Sequence, residues 1–288
     1  MVEAAFEEQT VGGKMWAAFL KNRTALVGGI VAVLILLVAV FAPILAPYDP
    51  LVQDSYTRLQ GSSRQHWLGT DDFGRDVLSR IIWGSRVSLV IGSSSVAFGL
   101  FFGTLLGMIA GYYRGHVETG IMRAIDVVMC FPDLILAVAV TAVLGANLRN
   151  LVLTVGIVMT PRFARLAHGA LLSIKERDYV TAAQAIGANT PRILRKHILP
   201  NIFGELLVAG TLWVGEAIRL EANLAFIGLG VQPPTPTWGN MTREGVDVLI
   251  NAPGISIYAG LSILITILSF NMLGDGVRDM IDPKLRGE

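Results

Sequence analysis

Five charged side chains sit inside apolar stretches of this 288-residue chain: Asp126, Asp133, Glu216, Arg219 and Glu221. A charge in hydrocarbon costs several kcal/mol unless it is paired or hydrated, so each either ties helices together or lines a path for a polar solute. Glu216 and Arg219 stand three apart on one helix face and can neutralise each other. Glu221 lies on a different face. Asp126 and Asp133, seven apart, share a helix face, and Arg123 is close enough to pair with Asp126. Both roles, helix pairing and path lining, stay open. A second group is TDDFGRD at 70–76, with Asp71, Asp72 and Asp76. Its spacing is not that of a calcium loop, and no Glu closes it at the twelfth position. It reads as a structured segment with Asp–Arg pairs and a helix cap at Thr70 or Asp71.

Catalytic chemistry finds no support. There is no G-x-x-x-x-G-K-[ST], so no Walker-type ATP site, and no H-E-x-x-H or G-x-S-x-G. His66, His116, His168 and His197 are scattered over different segments, so no metal site is expected. The single cysteine, Cys130, excludes an internal disulfide and reads as a small apolar helix residue.

The elements that would carry these charges are membrane helices. The chain is 53% hydrophobic and 16% charged, with a mean hydropathy of +0.58, whereas soluble domains carry about 25% charge. A net charge of +1 favours neither nucleic acid nor acidic ligands. Residues 24–48 and 87–113 carry no charge and exceed the roughly 20 residues a helix needs to cross. The second run is rich in Gly and Ser, which suits close helix packing in lipid. Further spans are read at about 119–144, kinked at Pro132, from about 151 until Arg162 and Arg165, at 203–230, and within 248–274. No cleavable signal peptide is read; the first apolar run is too long.

The expectation is an all-α integral membrane protein with six transmembrane helices and both termini on one side. Counting Lys and Arg puts fifteen on the face of the termini and seven on the other, so the termini are expected to be cytoplasmic. The division is then a cytoplasmic tail at 1–23, amphipathic near Met15 to Leu20, a first helix at 24–48, an external segment at 49–86, a five-helix core at 87–274 and a tail at 275–288. The core includes a polar cytoplasmic loop at 175–201 and an external loop at 231–254, where Pro233, Pro234, Pro236 and Gly239 forbid a continuous helix.

That polar loop contains YVTAAQAIGANTPRILRKHILPN at 179–201. Its Ala-rich start is a short helix former, Gly187 can end it in a left-handed conformation, and Pro191 can begin the next helix. Arg192, Arg195 and Lys196 face cytosol or lipid headgroups. The stretch resembles the cytoplasmic "EAA" loop of bacterial ABC importer permeases. Ala182, Ala183, Gly187, Leu199 and Pro200 match its spacing, while Thr181 and His197 stand where Glu and Ile are usual. HWLGTDDFGRDVLSRIIWGSR at 66–86, APILAPYDP at 42–50, FIGLGVQPPTPTWG at 226–239 and LGDGVRDMIDPKLR at 273–286 narrow the likeness. These blocks resemble the C-type permease of dipeptide and oligopeptide importers.

The resemblance implies a type I (MetI-like) permease core with an extra N-terminal helix, in the bacterial inner membrane. It implies a homologous second permease, two ABC ATPase subunits that bind ATP and Mg, and a periplasmic or lipid-anchored solute-binding protein, with no cofactor in this chain. Tyr179, Thr181, Ala182, Ala183, Gly187, Ala188, Leu199 and Pro200 would couple to the ATPases. Nickel, glutathione and opine importers share these motifs. A secondary transporter driven by an ion gradient is the rival class, kept open by Glu216, Glu221 and Asp133.

Overall fold

The computed structural model describes residues 22–281, all helix and loop apart from one isolated bridge between Thr70 and Asp76. The tail around Lys14 and Lys21, and Lys284 and Arg286 at the other end, lie outside the described residues.

Helix α1 (Arg23–Val40) and a short α2 (Ala42–Leu45) form the first apolar unit; Pro43 sits in the first turn of α2, and Pro47 directly follows its C-cap Ala46. Helix α3 (Val77–Tyr113) runs 37 residues. At about 1.5 Å per residue it is some 55 Å long, well beyond a hydrocarbon core of about 30 Å. It starts ten residues before the expected span. Residues 77–86, read from sequence as an external segment, are its first turns. Arg80, one of their two charges, is compensated in the loop cap described below, and Arg86 stands at the end of the stretch, so hydropathy reads these turns as polar.

The third expected span is broken. Helix α4 (Gly115–Met129) and helix α5 (Asp133–Leu144) meet at 96° across Cys130, Phe131 and Pro132. Pro132 lacks an amide hydrogen to continue α4 and sits as the N-cap of α5. Helix α6 (Leu148–Lys175) then runs 28 residues with Pro161 inside it. Two short helices, α7 (Asp178–Ala185) and α8 (Thr190–Ile193), and a π-helical turn at Leu194–Ile198 lead into α9 (Leu199–Phe226). Helix α10 (Trp238–Asp247) is a short surface helix, and α11 (Gly254–Ile281) closes the described chain. Among the described residues, four helical stretches are long and apolar enough to cross a membrane, five if the bent α4–α5 pair is one span; α6 falls short by composition.

Packing centres on α3 and α6. Gly99, Gly103, Gly107 and Gly111 repeat every fourth residue and face α6. A Cβ at Gly103 would lie 2.5 Å from the Thr160 carbonyl and 2.6 Å from Phe163 Cβ, so only hydrogen fits. This is the close backbone approach that lipid-embedded helices use in place of a hydrophobic driving force. Phe163, Leu171, Met159 and Ile91 fill the same core. The two ends of α3 mark two faces. One carries residues 49–76 and α10; the other carries α7 and α8. Asn22 donates to Asp279 at 2.8 Å, so the two ends of the described chain meet.

Candidate functional site

Three groupings of polar residues emerge, one on each face and one between them. The first is the segment from Lys175 to Pro200. Helix α6 stops at Glu176, and Asp178 opens α7, where a carboxylate suits the positive end of a helix. At the far end Gly187 takes φ +79. Its N–H donates to the Gln184 carbonyl at 2.9 Å, and Ala188 N–H donates to the Ala183 carbonyl at 3.0 Å. These two bonds are the Schellman closure, which favours glycine at the left-handed position. Asn189 accepts from Arg192 N–H at 3.2 Å, and Pro191 occupies the first turn of α8. Leu199 and Pro200 begin α9, and the π-helical turn before them accommodates the missing proline amide.

Helix α7 has two sides. Val180 and Ala183 are buried against the chain's own core, together with Ile193 and Ile198. Tyr179, Thr181, Ala182 and Ala185 face outward, and Ile186 at the C-cap is 86% exposed. Of the sequence-predicted coupling residues, Ala183 therefore points inward, and Ala188, Leu199 and Pro200 belong to the next turns. Ile186 was not singled out in the sequence. The signal available was a β-branched apolar residue beside a helix-ending glycine in an otherwise polar loop. The segment is tied to α3 by Lys175, whose Nζ donates to the Tyr112 carbonyl at 2.5 Å, and by Thr190, which donates to the Tyr112 hydroxyl at 3.4 Å.

The second grouping is a ladder between α6 and the bent pair. Arg162, Arg165 and His168 follow one face of α6. Arg162 pairs with Asp133, Arg165 with Asp126 at 2.5 Å, and His168 Nε2 with Glu118 at 2.7 Å. Three sequence expectations change here. Asp126 pairs across to Arg165, not along its helix to Arg123. Asp126 and Asp133 do not share a helix face, because the break at Pro132 separates their helices. Arg162 and Arg165 lie well inside α6, which runs on to Lys175 instead of ending at them, since the acids opposite compensate them. Glu216 and Arg219 do pair, as their spacing predicts. Arg165 and Asp126 keep 53% and 45% of their side-chain surface, Arg219 and Glu216 55% and 37%. Lipid cannot cover such charges at low cost, so water or another protein must. Glu221, on the other face of α9, is fully buried; its carboxylate faces the hydroxyls of Ser88 and Thr237 without a hydrogen bond of standard geometry.

The third grouping caps the opposite end of α3. Asp76, not Thr70 or Asp71, is the N-cap, accepting from Ser79 N–H at 2.8 Å. Asp71 instead accepts the amides of Phe73 and Arg75, each at 2.9 Å, and binds Arg75 and Arg80, which also reach Glu244 of α10. The expected Asp–Arg pairing is thus present, but buried. Asp72 stands beside it with its pKa raised, first by burial, then by the charges of Asp71 and Glu244. Among the described residues, no group of three or more His, Cys, Asp or Glu side chains is placed to hold a metal ion.

Residues 103–287 match the model of the binding-protein-dependent transport system inner membrane component family, and residues 10–61 that of the N-terminal TM domain of oligopeptide transport permease C. The chain is 43% identical to the glutathione transport system permease protein GsiD of Pectobacterium atrosepticum, over 95% of this chain and 91% of that one. It is 42% identical to the dipeptide transport system permease protein DppC of Alkalihalophilus pseudofirmus, over 92% and 88%. Its fold is similar to that of the inward-facing MetNI methionine ABC transporter, with a TM-score of 0.59 at 20% identity, over 70% of this chain and 97% of the other.

Proposed function

The chain belongs to the binding-protein-dependent transport system inner membrane components, and from that premise we infer how this ABC importer permease works and what it carries. The solute is a short peptide or a peptide-like thiol such as glutathione; the relatives named for dipeptide and glutathione transport support this class. The chain itself contributes no bond chemistry. It forms half of a path with a homologous permease, and ATP with Mg is bound and hydrolysed in two separate ATPase subunits. A periplasmic or lipid-anchored binding protein delivers solute to the face of α10. The face of α7, with the termini, is cytoplasmic, as the excess of Lys and Arg there predicts. Helix α6 is read as the remaining crossing, its charges paired with acids of α4 and α5.

One observation carries the mechanism: α7 presents Tyr179, Ala182 and Ile186 outward while its inner face joins the core at the junction of α6 and α9. A partner that grips the outer side moves both long helices at once. Closure of the ATPases on ATP would thereby switch the bundle between two packings. The half-exposed pairs Arg162–Asp133, Arg165–Asp126 and Glu216–Arg219 face water or the second permease, where a zwitterionic solute passes.

The test is uptake by the reconstituted complex. Dipeptide or glutathione should accumulate only with ATP and the ATPases present, and unlabelled solute of the transported class should compete. Accumulation driven by an ion gradient without the ATPases would overturn this reading.

A further inference from the structure

A groove of about 730 Å³ opens on the face of α10, where α2, the start of α3 and the first residue of α6 meet. Pro43, Val87, Val90 and Leu148 make apolar walls, and Asp49 and Arg86 are its two charges. Trp83, Arg86, Val87 and Val90 fall on one face of α3 by their spacing. Arg86 makes no ion pair or hydrogen bond among the described residues; its guanidinium carbon lies 5.8 Å from the centre of the Trp83 ring. Asp49 accepts the Leu51 amide at 2.8 Å and, among the described residues, has no cationic partner. Arg86 is also the last charge before 87–113, a run that carries none. That places it at the membrane–water boundary, where Trp83 and Tyr48 lie as interfacial aromatics do.

An apolar trough with one cation and one anion at its rim, neither ion-paired among the described residues, has a definite complement. We propose that the groove formed by Asp49, Trp83, Arg86 and Val90 binds a zwitterionic phospholipid bearing a primary ammonium, of the phosphatidylethanolamine class. The phosphate takes Arg86, the ammonium donates to Asp49, and an acyl chain lies along Val87, Val90 and Leu148. A singly anionic headgroup leaves Asp49 opposed to its charge. A quaternary ammonium has no hydrogen to donate to it. A polypeptide fills the trough only by bringing both an acid and a base to this height. The inference rests on the chain's membrane-spanning character and not on its solute.

The test uses the assembled transport complex in nanodiscs of equal phosphatidylethanolamine, phosphatidylcholine and phosphatidylglycerol. A photo-crosslinking benzoylphenylalanine replaces Val90, which is 46% exposed, and adducts are identified by mass spectrometry after irradiation. Phosphatidylethanolamine adducts should exceed the other two severalfold. Arg86→Gln and Asp49→Asn should each flatten that preference, and Arg86→Lys should keep most of it. Asn at position 49 can still accept the Leu51 amide, so the loop fold is retained. Adducts in bulk proportion in the wild type would mean ordinary lipid contact and overturn the proposal. So would adducts to the second permease, which would make the groove a subunit interface. The readout needs no transport, so it stands apart from the uptake test.

Discussion

Gly103→Ala should weaken the chain even though it adds a single methyl group and raises helix propensity. The new Cβ would sit 2.5 Å from the Thr160 carbonyl oxygen, 2.6 Å from Phe163 Cβ and 2.9 Å from Ala164 N. Two of these neighbours are backbone atoms, which no rotamer change can move. Ordinary contacts lie beyond about 3.4 Å, so α3 and α6 must part locally by roughly 0.5–1 Å, which forfeits a quarter to a half of each affected dispersion well. Overpacking of this kind costs about 1–3 kcal/mol, against which the Gly to Ala propensity gain of about 1 kcal/mol is the smaller effect. Gly169 supplies the control: it is on α6, and a Cβ there meets nothing within 4 Å. Gly169→Ala should therefore be neutral or stabilising. The assay is thermal unfolding of the detergent-solubilised chain. At roughly 2–4 °C per kcal/mol for a domain of this size, Gly103→Ala should lower the midpoint by several degrees. Equal midpoints for the two variants would refute the close-packed α3–α6 seam.

The ladder can be tested by deletion in pairs. Arg162→Leu should reduce abundance in the membrane by leaving Asp133 uncompensated, and adding Asp133→Leu should restore it, because removing both partners of a pair costs less than removing one; a double variant as depleted as the single would argue against pairing. Asp72 gives a pH prediction. Its pKa is raised above 3.8, so the folded state holds that proton more tightly and stability falls as pH rises through 3.8 and the folded value. Asp72→Asn should melt higher than wild type at pH 7, with a gap that closes as pH approaches 3.8; a gap independent of pH would contradict this. For sidedness, the exposed Cys130 is first replaced by Ala. New cysteines at Gln60 or Ile250 should then react with an impermeant thiol reagent from outside sealed cells, and one at Ile186 should not; Thr237 is fully buried and unsuited to labelling. Labelling at Ile186 from outside would reverse the orientation.

What could be read from the sequence was local. The end of α7 at Gly187, the restart at Pro191 and the Glu216–Arg219 pair each depend on residues within one or two turns, and all three are present. The charge-free runs were equally legible, since burial in lipid leaves its mark on every residue. The site's tertiary part was not. Asp126 finds Arg165 across 39 positions, and Asp133 finds Arg162 across 29, and nothing in either local stretch marks the partner. The same pairing cut the reading of α6 short, because hydropathy penalises Arg162 and Arg165 without seeing the acids that face them. Residues 77–86 were lost for a related reason. Arg80 is 1% exposed, held by Asp71 from the loop before α3 and by Glu244 from α10, so a buried arginine reads as a surface one.

Ile186→Asp tests coupling through α7 most directly. The side chain is 86% exposed and the residue ends its helix rather than supporting the core, so the chain's own stability should change by no more than about 0.5 kcal/mol. Yet a carboxylate there would be desolvated in any apolar docking groove. Membrane abundance, co-purified ATPase and ATP-driven uptake would be measured together in the same cells. Normal abundance with loss of both ATPase association and uptake is the expected result. Wild-type association and uptake in this variant would show that α7 is only a connector, and would contradict the account.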